Sequence, residues 1–180
     1  MTMVDFARVL SFLGLGCTIA SSLIKGRKMG LILFLLCAGN ALVATSYLLD
    51  GSQSYTGAAS CYIGAVQAFI NFFFSRNEKK IPLWLTVVYA LSFVIVNVIA
   101  FVEIVDVVSL VASLTFVMCV GQKNGAKYRI WTIINMGLWI LYDLLKGSSA
   151  GLIAHIPFFL FTVAGMLIHD MKNKNKSVEG

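Results

Sequence analysis

Seven stretches of mostly apolar residues follow one another along the chain, separated by short polar breaks. A bilayer core about 30 Å thick takes roughly 17–25 helical residues per crossing. The stretches therefore predict crossings at about Val4–Ile24, Gly30–Leu49, Tyr55–Ser75, Pro82–Phe101, Ile104–Val120, Ile130–Leu145 and Ser149–His169. The expectation is an all-α integral membrane fold of seven transmembrane helices. Asp5 precedes the first stretch and no small-residue cleavage site follows it, so it reads as a span and not as a signal peptide.

Polar residues inside these stretches fall on single helical faces. In helix three Ser60, Gly64, Gln67 and Asn71 share one face, and in helix seven Gly151, His155, Phe158, Thr162, Gly165 and His169 do the same. Helix one adds Gly14, Thr18 and Ser21, helix two Asn40 and Tyr47, helix five Ser109 and Ser113, and helix six Asn135, Trp139 and Tyr142. Polar groups within a span turn towards the bundle or a water-filled path. For a single Ser, Thr or Gly the bland reading is helix-to-helix glue, each interhelical hydrogen bond contributing about 0.6 kcal/mol. The set reads as a cavity, because helices two and six each carry an Asn and an aromatic residue on one face near mid-membrane. An amide with an aromatic face suits a neutral polar solute that bears a ring.

Charge adds orientation. All fourteen Lys and Arg residues except Arg8 and Lys146 sit in alternate connections or in the tail: Lys25, Arg27, Lys28; Arg76, Lys79, Lys80; Lys123, Lys127, Arg129; and Lys172, Lys174, Lys176. Lys146 stands alone in the sixth connection. The positive-inside bias then places the N-terminus outside and the C-terminus in the cytoplasm, with a polar, disordered tail over 171–180. Grouped this way, the net charge of +6 reads as a topology signal and not as a nucleic-acid surface.

A shift of 95 residues lays Gly26-Arg27-Lys28-Met29-Gly30 on Gly121-Gln122-Lys123-Asn124-Gly125, both reading G-x-K-x-G. The same shift lays Asn40 on Asn135, Tyr47 on Tyr142, Leu49 on Leu144, Ser60 on His155 and Gln67 on Thr162. Four crossings separate equivalent points, so the copies run in the same sense. Parallel repeats are one way of building a transporter around a midplane site. The expected organisation is a three-helix repeat over 1–76, linker helix four over 77–103, a second three-helix repeat over 104–170 and the tail 171–180.

Composition agrees: 59% of residues are hydrophobic and 12% charged, with a mean hydropathy of +0.87, against about 25% charged in a soluble domain. Cys17, Cys37, Cys61 and Cys119 all fall in spans with no C-x-x-C spacing and read as buried apolar thiols. Gly147-Ser148-Ser149-Ala150-Gly151 fits G-x-S-x-G, but a helix enters it where a nucleophile elbow needs a strand. It reads as a turn of small residues. No H-E-x-x-H and no P-loop occurs, and neither enzymatic function nor a cofactor or metal is expected. Asp143, Asp106 and His155 fall towards the outer side; Asp143 and His155, joined through a short turn, are placed to pair and titrate together. The bland reading is an interfacial carboxylate reaching water, and His169 reads as interfacial at the inner boundary.

In this order of elements the sequence resembles the YgjV family of small bacterial inner-membrane proteins, within the wider group of SWEET and SemiSWEET sugar facilitators, PQ-loop transporters and Pnu vitamin transporters. The resemblance covers about residues 10–170 and rests on Trp131 to Met171, where Trp139-Ile140-Leu141-Tyr142-Asp143 is followed by Gly147-Ser148-Ser149-Ala150-Gly151 and a last apolar helix. It departs from that wider group in having no Pro-Gln pair and only Pro157 within a repeat; Trp139-x-x-Tyr142 matches only part of the tryptophan-rich Pnu motif. The resemblance implies a 3+1+3 helix bundle, facilitator ancestry, the bacterial cytoplasmic (inner) membrane and, by analogy, a homotrimer.

The functional expectation is a facilitative, alternating-access carrier of a sugar, nucleoside or vitamin-like metabolite. Asn40, Asn135, Gln67 and Trp139 would contact the solute, with Tyr47, Tyr142, Ser60, His155 and Thr162 around them. Two rivals stand beside it: a non-transporting receptor or scaffold of the same fold, and a proton-coupled transporter using Asp143 and His155.

Overall fold

Polar breaks with capping chemistry decide where several of the helices begin. The computed structural model describes residues 2–24, 29–50, 54–77, 79–122 and 124–171. Among these it contains seven α-helices and no strand: α1 (Met3–Leu23), α2 (Met29–Leu49), α3 (Tyr55–Arg76), α4 (Leu83–Ile99), α5 (Asp106–Val120), α6 (Gly125–Lys146) and α7 (Ser149–Met166), the last continuing into a π-helical turn, Leu167–Met171. Thr2 caps α1 in a reciprocal pair, accepting from the Asp5 N–H at 3.2 Å while its own N–H donates to the Asp5 carboxylate at 2.9 Å. Asn124 accepts from the Ala126 N–H at 2.8 Å to start α6, and Ser148 from the Gly151 N–H at 3.1 Å to start α7. Between α6 and α7 the chain turns through Gly147 at φ 68°, a left-handed conformation that glycine adopts without strain.

α1, α2, α3 and α7 with its extension are long and apolar enough to cross a bilayer; α4 and α5 are apolar but shorter. α6 has 22 residues and carries Lys127, Arg129, Asp143 and Lys146. It starts at Gly125, five residues before the Ile130 expected from sequence, because Arg129 is not a connection residue. Its side chain is buried, and its guanidinium donates to the Ile24 carbonyl at the end of α1 at 3.2 Å. α5 starts at Asp106 and not at Ile104, since the preceding backbone is spent on a turn: the Val102 and Glu103 N–H groups donate to the Asp106 carboxylate at 2.8 and 3.0 Å. Lys25, Gly26, Arg27, Lys28, Lys123, Lys172, Lys174 and Lys176 lie outside the described residues, and with them most of the first G-x-K-x-G.

The helices neighbour one another in a ring. α1 packs on α2 and α7, α2 on α3, α3 on α5, α5 on α6, and α6 on α7. α4 packs on α3 and α5 through Leu85, Tyr89, Phe93 and Asn97, a four-residue spacing that lines one helical face. Its opposite face, including Val87, Leu91, Ile95 and Val98, is exposed, as are Phe12, Phe34, Val66, Leu141 and Leu160 on other helices. Such a large apolar exterior fits lipid and not water. Asn97 pins α4 in place: its Nδ2 donates to Ser60 Oγ and the Phe93 carbonyl, both at 2.9 Å, and its Oδ1 accepts from Ser109 Oγ at 2.5 Å. The Tyr89 hydroxyl donates to Asn71 Oδ1 at 3.2 Å.

Small residues set the closest crossings. A Cβ on Gly39 of α2 would lie 2.7 Å from Thr18 Cγ2 of α1, and one on Gly165 of α7 would lie 2.8 Å from the Ser22 carbonyl oxygen. Gly39→Val should therefore lower the thermal unfolding midpoint in detergent by the equivalent of about 1–3 kcal/mol, whereas Gly137→Ala, with open space around its Cβ, should leave it unchanged or raise it. Equal effects of the two would contradict the close α1/α2 crossing. Asn97→Leu should cost about 1–2 kcal/mol by stripping Ser60 and Ser109 of their partner, read in the same melts.

Candidate functional site

Between the helices lies a cavity bordered by Thr18 of α1, Asn40 of α2, Ser60 and Gly64 of α3, Phe93 of α4, Ser113 and Phe116 of α5, Asn135 and Trp139 of α6, and His155 and Phe158 of α7. Every helix contributes. The hollow spans about 490 Å³ including its open part, yet only about 30 Å³ of it accepts the centre of a water molecule. About 10–15 Å³ on that measure holds one water, so the present shape takes two or three waters and no ring-bearing solute.

The amides on this wall are under-bonded. Asn40 Nδ2 and Asn135 Oδ1 are buried and have no hydrogen-bond partner among the described residues. Asn135 spends its other end on α5, donating to the Ala112 carbonyl at 2.6 Å and to Thr115 Oγ1 at 3.0 Å. A buried donor or acceptor left unsatisfied costs roughly 1–3 kcal/mol, so these two atoms call for water or a solute in the cavity.

Beside the cavity is a buried acid and base. Asp143 is fully buried, its Oδ2 2.6 Å from Nδ1 of His155, while its Oδ1 accepts from the Tyr47 hydroxyl in a short hydrogen bond. The expected reading of Asp143 as an interfacial carboxylate reaching water is thus corrected. It lies within a turn of the end of α6, but Tyr47 from α2, His155 from α7 and the bare backbone at Gly151 enclose it. A Cβ on Gly151 would collide with the carboxylate, which explains a glycine at the first turn of α7. The His155 ring stacks on Trp139, centroids 5.6 Å apart and planes at 25°.

A second polar chain runs alongside at the Lys146 end of the bundle. The Tyr142 hydroxyl donates to Thr56 Oγ1 at 2.7 Å, and Thr56 donates to Asp106 Oδ1 at 2.8 Å. Lys146 lies 3.0 Å from Asp106 and 2.7 Å from Glu103, its side chain only 4% exposed. Lys146, the single basic residue of its connection, is held by two carboxylates. Ser148 closes the same end by donating to Asp50 at 2.7 Å.

The structure thus brings Asn40, Asn135, Ser60, Trp139 and His155 of the expected site to one cavity. Tyr47 and Tyr142 stand in the polar clusters beside it, each bonded to another side chain. Thr162 turns its hydroxyl onto the Phe158 carbonyl at 2.7 Å, and buried Gln67 is not on the wall. Sequence reasoning passed over Asn97, Tyr89, Thr56 and Phe93. Asn97 is an amide within an apolar span, so the principle that singled out Asn40 applies to it as well.

No curated protein and no solved structure matches the chain significantly. The family model Imp-YgjV, described as bacterial inner membrane protein, matches residues 5–172 and so takes in nearly the whole helical bundle. The chain belongs to the YgjV family of bacterial inner membrane proteins.

Proposed function

We infer that the protein is a carrier for a small polar solute, and not an enzyme, in which the units α1–α3 and α5–α7 move against each other around the shared cavity with α4 as linker. The reading is carried by the unsatisfied Asn40 Nδ2 and Asn135 Oδ1 on one wall. A packed scaffold gains nothing from leaving an amide donor and acceptor without partners, whereas a site that binds and releases a polar solute uses them in turn.

Several further observations support it. Three pairs of wall residues stand 95 apart in sequence, Thr18 with Ser113, Asn40 with Asn135, and Ser60 with His155. The packing has the matching symmetry: α1 meets α7 where its counterpart α5 meets α3. The likeness to the SWEET, PQ-loop and Pnu group points to the same parallel 3+1+3 organisation with all seven helices spanning, and the alternation of basic connections puts the N-terminus outside and the Lys146 end facing outwards. The side-chain bonds Tyr47 to Asp143, Tyr142 to Thr56 and Thr56 to Asp106 join the two units at that end. The small cavity then corresponds to a state closed to the outside, and admitting a sugar, nucleoside or vitamin-like ring requires the units to part.

Asn40→Ala separates a solute contact from helix glue. It removes a donor that has no partner among the described residues, so the unfolding midpoint should stay or rise, while uptake of the transported member of a labelled panel of sugars, nucleosides and vitamins into proteoliposomes should fall about tenfold or more. A lowered midpoint with unchanged flux would overturn the assignment. Asn135→Ala should reduce flux and also destabilise the fold by roughly 1–2 kcal/mol, because it releases the α5 carbonyl at Ala112.

A further inference from the structure

We propose that Asp143 and His155 form a proton-binding site whose occupancy is coupled to solute movement through the adjoining cavity. The proposal rests on the carrier reading above and adds the co-transported ion.

Geometry makes the pair a natural proton store. The carboxylate and the imidazole are 2.6 Å apart and buried together, and His155 borders the cavity while Asp143 does not. With Nδ1 engaged by the carboxylate, Nε2 is the ring atom available to cavity water or solute. The imidazole therefore connects the carboxylate to the transport path. Trp139, stacked on the ring, shares that wall and links solute contact to the position and charge of His155.

The surroundings leave charge balance to the pair itself. From α2 the Tyr47 hydroxyl and, at the helix end, Asp50 face it; from α3 comes the Cys61 thiol; and on α6 the neighbouring phenol is Tyr142. None of these is cationic. On α1, Asp5 and Arg8 are exposed and Cys17 is half-buried. On the α5 side Asp106 is committed to Lys146, which also holds Glu103. With one proton the pair is neutral as a unit; without it a bare negative charge sits in a low-dielectric interior, which burial opposes strongly. Wetting the pair from one side weakens that opposition.

Movement of the two units supplies the wetting. Tyr47 belongs to the first unit and Asp143 and His155 to the second, so parting α2 from α6 breaks the Tyr47 hydrogen bond and uncovers the carboxylate. One proton is taken from the outer solution when the pair opens outwards, is held while the cavity is closed, and is released to the cytoplasm when it opens inwards. The solute travels in the same half-cycle, giving symport.

Two readouts test this. In a Trp84→Phe, Trp131→Phe background Trp139 is the single indole, since the chain has three, and imidazolium stacked on it quenches its fluorescence. The purified protein should show a pH-dependent change of this emission that His155→Gln abolishes and Asp143→Asn alters; thermal melts and gel filtration establish that each variant is folded. A flat profile, or one unchanged in folded His155→Gln, overturns the site. In proteoliposomes carrying an entrapped pH dye and offered labelled glucose, adenosine and riboflavin, an inward gradient of about 1.5 pH units should speed uptake of the transported probe at least fivefold and acidify the lumen with it. Uptake that ignores the gradient and moves no proton overturns the coupling and leaves the carrier standing. Failure of the wild type to move any of a full panel of sugars, nucleosides and vitamins removes both.

Discussion

A carboxylate inside an apolar bundle must be answered by groups from the protein itself, because no lipid chain will solvate it. Asp143 draws its answers from two other helices, the Tyr47 hydroxyl on α2 and the His155 imidazole on α7, while Gly151 gives it room. These demands bring α2, α6 and α7 together at one end. They also place an aromatic and ionisable wall, Trp139 on His155, beside the cavity. The Thr56, Tyr142, Asp106 and Lys146 chain does the same for α3, α5 and α6. Polar side chains thereby specify which helices meet, where apolar packing alone would be equally content with lipid.

Asn97 and the two amides on the cavity wall differ under the same rule. Asn97 satisfies its donors and its acceptor on α3, on its own helix and on α5, and behaves as a fastening for α4. Asn40 leaves its nitrogen without a partner, and Asn135 its oxygen, on the wall of the same cavity. A difference in satisfaction together with a place on the cavity wall separates fastening from function here, since Gln67 Oε1 and Asn71 Nδ2 also lack a partner among the described residues but lie off that wall. It is the physical content behind reading the molecule as a carrier.

Much of this was legible before any coordinates. Helix number and most boundaries follow from apolar run length, and the polar stripes identify faces that turn inwards, as Ser60, Asn40, Asn135 and His155 do. Legibility failed where a charge had two readings. Arg129 and Lys127 looked like connection residues and concealed the first turn of α6; Arg129 in fact reaches across to the end of α1. Asp143 looked interfacial because its distance from the helix end is visible in sequence, whereas its enclosure by Tyr47 from nearly a hundred residues away is not. Thr162 shares the phase of His155, yet a hydroxyl can satisfy itself on the carbonyl one turn back and leave the path unlined. Phase says which side a residue takes, and only packing says which neighbour it finds.

The central claim is that the unsatisfied amides face a hydrated, solute-accessible space and not a dry seam. A density map of the protein in a lipid nanodisc, at a resolution that shows ordered water, tests this most directly. The account predicts water or solute density within hydrogen-bonding distance of both Asn40 Nδ2 and Asn135 Oδ1. Side chains collapsed to fill the space, with both amides bonded to protein or turned to the acyl chains, would contradict it.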